Sequence, residues 1–270
     1  INIDSTEGTA SATVRAGTIG LTISQQASPN NNAQTVNFTG TESITVDTAI
    51  AAGTISAAGM TVAAATDAGL TMSTAHTAAQ TITGSGKVDT LFGSTKADTI
   101  NAGAGADTIY GGVGGDTIDG GDGIDTYRDD GALTAATVEG TGTGTSTGVV
   151  VNLGSAAITN STVLATISQD LSGSLTSVEA GKVAYVFNGS AVVNTTVTDT
   201  LTSIENVTLF DGINYIVGSD AANVITGGTG TDWITSGNGA DTITGGSAAD
   251  TITLTETAAN SAADTVKYTF

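Results

Sequence analysis

Ten oxygen-bearing side chains stand at intervals of nine residues in two sets: Asp89, Asp98, Asp107, Asp116 and Asp125, then Asn214, Asn223, Asp232, Asp241 and Asp250. Most of them close a short stretch rich in glycine. A carboxylate presented from such a turn, beside several exposed backbone carbonyls, is a hard oxygen donor set that suits calcium rather than zinc or copper. If two nine-residue copies complete one coil, residues eighteen apart lie above one another. One edge then stacks Asp89, Asp107 and Asp125, and the other stacks Asp98 and Asp116. Carboxylates at strand spacing repel strongly unless a cation sits between them. The chemistry to expect is ion binding.

The elements that position these groups are legible in the repeat itself. From Gly84 to Arg128 the copies read GSGKVDTLF, GSTKADTIN, AGAGADTIY, GGVGGDTID and GGDGIDTYR, with no residue gained or lost. Six glycine-rich residues can bend through conformations closed to larger residues and make a tight turn. The three that follow place an apolar residue inward (Leu91, Ile100, Ile109, Ile118, Tyr127) between two outward ones, as a very short strand. So short a strand cannot bury its face alone and must stack on copies of itself. A second block returns in register from Leu209 to Thr253, as LFDGINYIV, GSDAANVIT, GGTGTDWIT, SGNGADTIT and GGSAADTIT.

This nonapeptide resembles the repeat of the RTX (repeats-in-toxin) family, whose glycine-aspartate turns bind calcium in a parallel β-roll. The resemblance implies an all-β, right-handed parallel β-roll or β-solenoid with two arrays, several Ca2+ ions as cofactors, and half of a calcium site from each turn at the ten positions above. Two departures grade the sites. Lys87 and Lys96 stand where the fourth residue is ordinarily glycine, so the pairs Asp98 with Asp116 and Asp107 with Asp125 are the firmer sites of the first array. Asn214 and Asn223 keep a carbonyl oxygen but no charge, so the early turns of the second array should bind calcium weakly or not at all. Its best pair is Asp232 with Asp250, while Asp241 faces the neutral Asn223.

The remaining chain divides around the arrays. Residues 1–83, rich in Thr, Ala, Ser and Gly, carry small apolar pairs at alternating positions: Ile19, Leu21 and Ile23, Val36 and Phe38, Ile44 and Val46, Met60 and Val62, Leu70 and Met72. Their spacing of about nine to twelve residues predicts a β-solenoid without acids in its turns, with an irregular β-sandwich as the alternative. Residues 84–128 are the first roll, 129–208 a β-rich spacer, and 209–270 the second roll with a C-terminal strand. In the spacer, residues 141–148 read as a flexible loop, and strands such as Lys182 to Asn188 are expected to cover the side or end of the rolls.

Composition bounds the function. Six basic against 26 acidic residues give a formal charge of -20, which repels nucleic acid and anionic membranes and attracts divalent cations. Such a charge destabilises the compact chain until cations arrive, so folding and metal binding should be one event. No apolar run approaches membrane-spanning length. The absence of cysteine excludes disulfides and thiolate metal sites. Ile1 in place of methionine, with no basic start and apolar run, predicts a piece of a longer protein.

No catalytic residue is expected. Gly144 to Gly148 matches the nucleophile-elbow spelling around Ser146, but a Gly/Thr run precedes it and a strand follows, where the elbow needs a strand and then a helix. His76 is the one histidine, too few for a zinc protease helix. Trp233 and Tyr215 fall at outward seventh positions, and Phe92 and Tyr110 at outward ninth positions, on faces that could meet a neighbouring subunit. The Ala/Thr/Gly/Ser-rich composition resembles the lattice-forming part of RTX-type bacterial surface-layer (S-layer) proteins. That resemblance implies a structural, non-enzymatic protein exported by type I secretion, assembling with copies of itself on the cell surface, with surface polysaccharide as a further partner. The alternatives are a stalk or adhesion module of a secreted RTX adhesin, and the non-catalytic RTX domain of a secreted enzyme.

Overall fold

The structure, a computed structural model, describes residues 19–20, 35–40, 43–46, 53–60, 68–73, 75–76, 78–112, 114–129, 145–159, 162–164, 175–188, 198–210, 212–257 and 262–268. Their regular structure is almost entirely short β-strand, mostly paired in parallel, and the chain forms two compact units, Ile1–Thr126 and Tyr127–Phe270. The fold is a parallel β-roll.

In the first unit, strands alternate between two faces as the chain advances. Ile44–Val46, Ala68–Met72, Val88–Ser94 and Thr108–Gly112 stack on one face. Thr35–Gly40, Thr54–Met60, Thr81–Thr83, Thr99–Asn101 and Thr117–Asp119 stack on the other. Parallel pairing with alternating faces is the path of a coil. Within the array the register is regular: Ile109 lies opposite Leu91, and Ile118 opposite Ile100, which lies opposite Ile82. These inward residues are wholly buried, each contributing roughly 1.5–3 kcal/mol of transfer free energy.

The coils ahead of the first array are longer and less even. Ile44 faces Leu70, Ile55 faces Ile82, and the pairing of Ala68–Met72 with Val88–Ser94 shifts register along its length. The strands described there pair in parallel, a solenoid arrangement rather than a sandwich. Of the apolar pairs read from sequence, Leu21, Ile23 and Val62 lie outside the described residues.

The second unit repeats the coil with a different entry. Asn206–Thr208, Val224–Gly228, Thr242–Gly246 and Thr265–Lys267 form one face, while Tyr215–Val217, Trp233–Thr235 and Thr251–Thr253 stack on the other. The spacer joins this second face. Thr145–Asn152 pairs in parallel with Tyr215–Val217 and antiparallel with Lys182–Asn188, which pairs antiparallel with Thr198–Thr202. Lys182–Asn188 is therefore a strand of the sheet at the end of this stack rather than a cover over its side. Strand structure begins at Thr145, inside the stretch expected to be a loop; residues 141–144 lie outside the described residues.

The cover comes from elsewhere in the spacer. Val150, Ile158, Leu164, Leu175, Val178 and Ala184 form a buried cluster, with Tyr215, Val217 and Trp233 packed against it. Asn152 ties this cover down by donating from Nδ2 to the carbonyls of Ala156 and Val178. The expectation that Trp233 and Tyr215 face a neighbouring subunit is corrected here: the chain's own spacer lies over them. Phe92 and Tyr110, in the first unit, stack on each other with centroids 3.9 Å apart.

Candidate metal centre

The acids form ladders along the edges of the rolls. The Asp107 Oδ1 accepts the Asp89 amide at 2.7 Å, Asp125 accepts the Asp107 amide at 2.8 Å, and Asp116 accepts the Asp98 amide at 2.8 Å. In the second unit Asp232 accepts the Asn214 amide, Asp241 the Asn223 amide, and Asp250 the Asp232 amide, at 2.8, 2.8 and 3.0 Å. Each rung joins residues eighteen apart. The ladders start one coil before the first acid, where Leu70, Gln80 and Val149 donate to Asp89, Asp98 and Asn214. A hydrogen bond to a carboxylate is shorter and stronger than a neutral one, so the rungs fix each acid in place.

What the rungs leave over is the second oxygen. The Oδ2 atoms of Asp107, Asp232 and Asp241 are buried with no hydrogen-bond partner, although these residues are at most 1% exposed. A buried charged oxygen left so is costly unless something else satisfies it. Oxygen atoms of the backbone stand close by. A methyl group on Gly227 would meet the Asp232 Oδ2 at 2.4 Å and the Gly245 carbonyl at 2.7 Å. At the second position of the turn, Gly103, Gly112, Gly121, Gly228, Gly237 and Gly246 all take positive φ, between 93° and 120°. Methyl groups on Gly121 and Gly246 would strike the carbonyl oxygens of Gly103 and Gly228 one coil earlier, at 1.9 and 1.8 Å. Glycine is needed there for both the backbone angle and the close approach of the coils.

Electrostatics point the same way. Burial pushes the Asp107 carboxyl up to about 7, opposed by the Asp89 amide and aided by the charges of Asp89 and Asp125. Burial also raises Asp232 to about 7, opposed by the Asn214 amide and aided by Asp250. Asp89, Asp98 and Asp241 are raised as well, in each case chiefly by burial. Buried carboxylates, an orphaned oxygen and neighbouring carbonyls fit a hard divalent cation. Calcium bound there would neutralise the stacked charge and satisfy that oxygen, while the chain's own amides hold the acids in register.

The structure adds residues that the repeat spelling did not suggest. Asp264 accepts the Asp241 amide at 3.0 Å, so it is the next rung after Asp241, displaced by extra residues in the turn before it. Its strand, Thr265–Lys267, pairs in parallel with Thr242–Thr244. Oxygen atoms of Asp241, Glu256 and Asp264 lie within 4.8 Å of one another. The signal available in sequence was the Asp-Thr-Val spelling at Asp264, which matches the acid and strand of a copy but falls out of register. His76 is buried, with Nε2 3.4 Å from the Met72 sulfur, and burial lowers its pKa to about 4. Ser146 lies inside the strand Thr145–Asn152, not at a strand-to-helix turn.

Parallel coils with stacked, buried acids at their turns define a calcium-binding β-roll. The RTX calcium-binding nonapeptide repeat matches the chain in four copies, at residues 83–118, 92–127, 210–243 and 217–252. Over these two stretches the chain carries RTX calcium-binding repeats, which supports a place in the RTX family. No curated protein and no solved structure matches it.

Proposed function

We propose that this chain is a structural subunit of a bacterial surface layer, exported by type I secretion, whose rolls fold on meeting calcium outside the cell and then assemble with copies of themselves. The observation that carries this reading is the buried acid ladder, which makes the compact rolls dependent on a cation. A formal charge of -20 adds long-range repulsion that calcium relieves. Two arrays in one chain, with Ala/Thr/Gly/Ser-rich coils beside them, suit a stiff building block better than the appendage of an enzyme. Calcium acts twice in this account, rigidifying each roll and bridging acidic faces of neighbouring copies.

Electron microscopy and sedimentation of the purified chain, with calcium added and then chelated, test the proposal. Ordered sheets that appear with calcium and dissolve on chelation are the expected result. A discrete folded monomer in calcium would favour the stalk of a secreted adhesin, and a lattice indifferent to excess chelator would overturn the calcium-dependent assembly.

A further inference from the structure

Nine of the ten turns of the two arrays fall into two classes, divided by the residue at the second position; the tenth, which opens the second array, carries Phe210 there, and its Asn214 accepts the Val149 amide at Oδ1 and donates to the Gly227 carbonyl from Nδ2. Six copies carry glycine there, with positive φ. Three copies carry serine: Ser85, Ser94 and Ser219. None of the three serines has positive φ, and their backbone amides point at the side chain of the sixth residue. The Ser85 amide donates to the Asp89 Oδ2 at 2.6 Å, the Ser94 amide to the Asp98 Oδ2 at 2.5 Å, and the Ser219 amide to the Asn223 Oδ1 at 2.8 Å. The hydroxyls add to this, from Ser85 and Ser94 to the acids at 3.0 Å and from Ser219 to Asn223 at 3.3 Å. Each hydroxyl then accepts the amide of the fourth residue, Lys87, Lys96 or Ala221, at 3.0–3.1 Å.

The oxygen that is bare in Asp107, Asp232 and Asp241 is thus already satisfied in Asp89 and Asp98. In Asn223 the corresponding atom is Oδ1, which accepts the Ser219 amide, while Nδ2 donates to Ser219 Oγ and to the Glu205 carbonyl. The fourth position follows suit: it is lysine or alanine in the three serine copies, and glycine in all the glycine copies except that of Ala248. Lys87 is 1% exposed, and its charge opposes the upward push that burial gives the Asp89 carboxyl. A cation is therefore built into that turn.

We infer that the serine turns at Ser85, Ser94 and Ser219 are closed, metal-free copies, in which the serine amide and hydroxyl take the place of calcium on the sixth residue. The nonapeptide arrays then hold calcium only where glycine occupies the second position, and each array opens on coils that need no ion to complete their turns. This rests on calcium being the cation of the glycine turns and is independent of whether the chain assembles.

Native mass spectrometry of the full, unassembled chain in calcium counts the ions directly. Asp89→Asn is expected to leave the count unchanged, Asp107→Asn to lower it by at least one, and Ser85→Gly combined with Lys87→Gly to raise it by one. A loss of ions in Asp89→Asn equal to that in Asp107→Asn, or no gain in the double variant, overturns the inference. Should a variant not fold, amide exchange of the wild-type chain in calcium, where the rolls are folded, gives the answer without substitution. The Ser85 and Ser94 amides should exchange at least tenfold more slowly than those of Gly103 and Gly112, and equal rates would overturn the proposal.

Discussion

Ala248 occupies a conformation that suits glycine, with φ of 77° at the fourth position of its turn, where most other copies of its array carry glycine. The left-handed region costs a residue with a Cβ roughly 1–2 kcal/mol. Ala248→Gly should therefore raise stability by about 1 kcal/mol in urea denaturation of the calcium-loaded chain, and a loss of stability would contradict the backbone reading. The stacked acids set a pH dependence. Asp107 and Asp232 have folded pKa values of about 7, against an ordinary value of roughly 3.9. Groups raised in the folded state stabilise it fully below the unfolded value, and that stability is lost as the pH rises through the folded one. The melting temperature of the chelated chain should fall between about pH 4 and pH 7, and saturating calcium should abolish the fall. His76 acts in the opposite sense: lowered to about 4, it contributes stability present above roughly pH 6.5 and lost as the pH falls through about 4. A chelated chain that gains stability from pH 4 to pH 7 would show that the buried acids do not govern it. Tyr127 and Asp199, both wholly buried, share a hydrogen bond of 3.0 Å. Tyr127→Phe should cost about 1–3 kcal/mol by leaving a buried carboxylate oxygen short of a donor.

At the scale of strands, the unit of stability is the inward residue stacked on its counterparts in neighbouring coils. Ile109→Ala opens a cavity at a residue with no exposure and should cost about 2–5 kcal/mol. Val224→Ala, at a position 50% exposed, should change stability by less than about 0.5 kcal/mol. Thermal melts in calcium separate the two, and similar losses would mean that stacking of inward residues does not hold the roll. These positions were legible in sequence because the repeat is local and regular: once one copy is parsed, Ile100, Ile109 and Ile118 all fall at the eighth position, on alternating faces of the roll. The spacer was not, because its placement is decided by contacts far apart in the chain. Nothing near Trp233 announces that a buried cluster including Ile158 and Val178 will pack against it. Asp264 escaped for a different reason. The turn before it carries extra residues, so a search at fixed spacing passes it by although its strand continues the stack. The two classes of turn were half visible, since Lys87 and Lys96 stand out, but the hydrogen bonds that make Ser85 and Ser94 matter depend on backbone angles that spelling does not give.

For the whole molecule, charge and topology act together. The formal charge of -20 is a load on the compact state that monovalent salt can screen but cannot bind at the buried oxygens. Chelation should expand the chain and reduce its strand signal in circular dichroism, with calcium restoring both and sodium chloride at equal ionic strength restoring little; equal recovery in the two salts would reduce the role of calcium to screening. Each coil touches chiefly its neighbours, so stability accumulates coil by coil, as in other repeat proteins. The amide rungs give this accumulation a direction. A carboxylate reaches back to the backbone of the coil before it: Asp107 to Asp89, Asp125 to Asp107, Asp232 to Asn214, Asp250 to Asp232. A finished coil thus presents to the next an amide already aimed at its acid, whereas a later coil on its own has an acid with nothing behind it to grip. Growth resembles a crystal advancing from a seed face, with the N-terminal coils of each array as the seed and calcium as the species that lets each new layer settle.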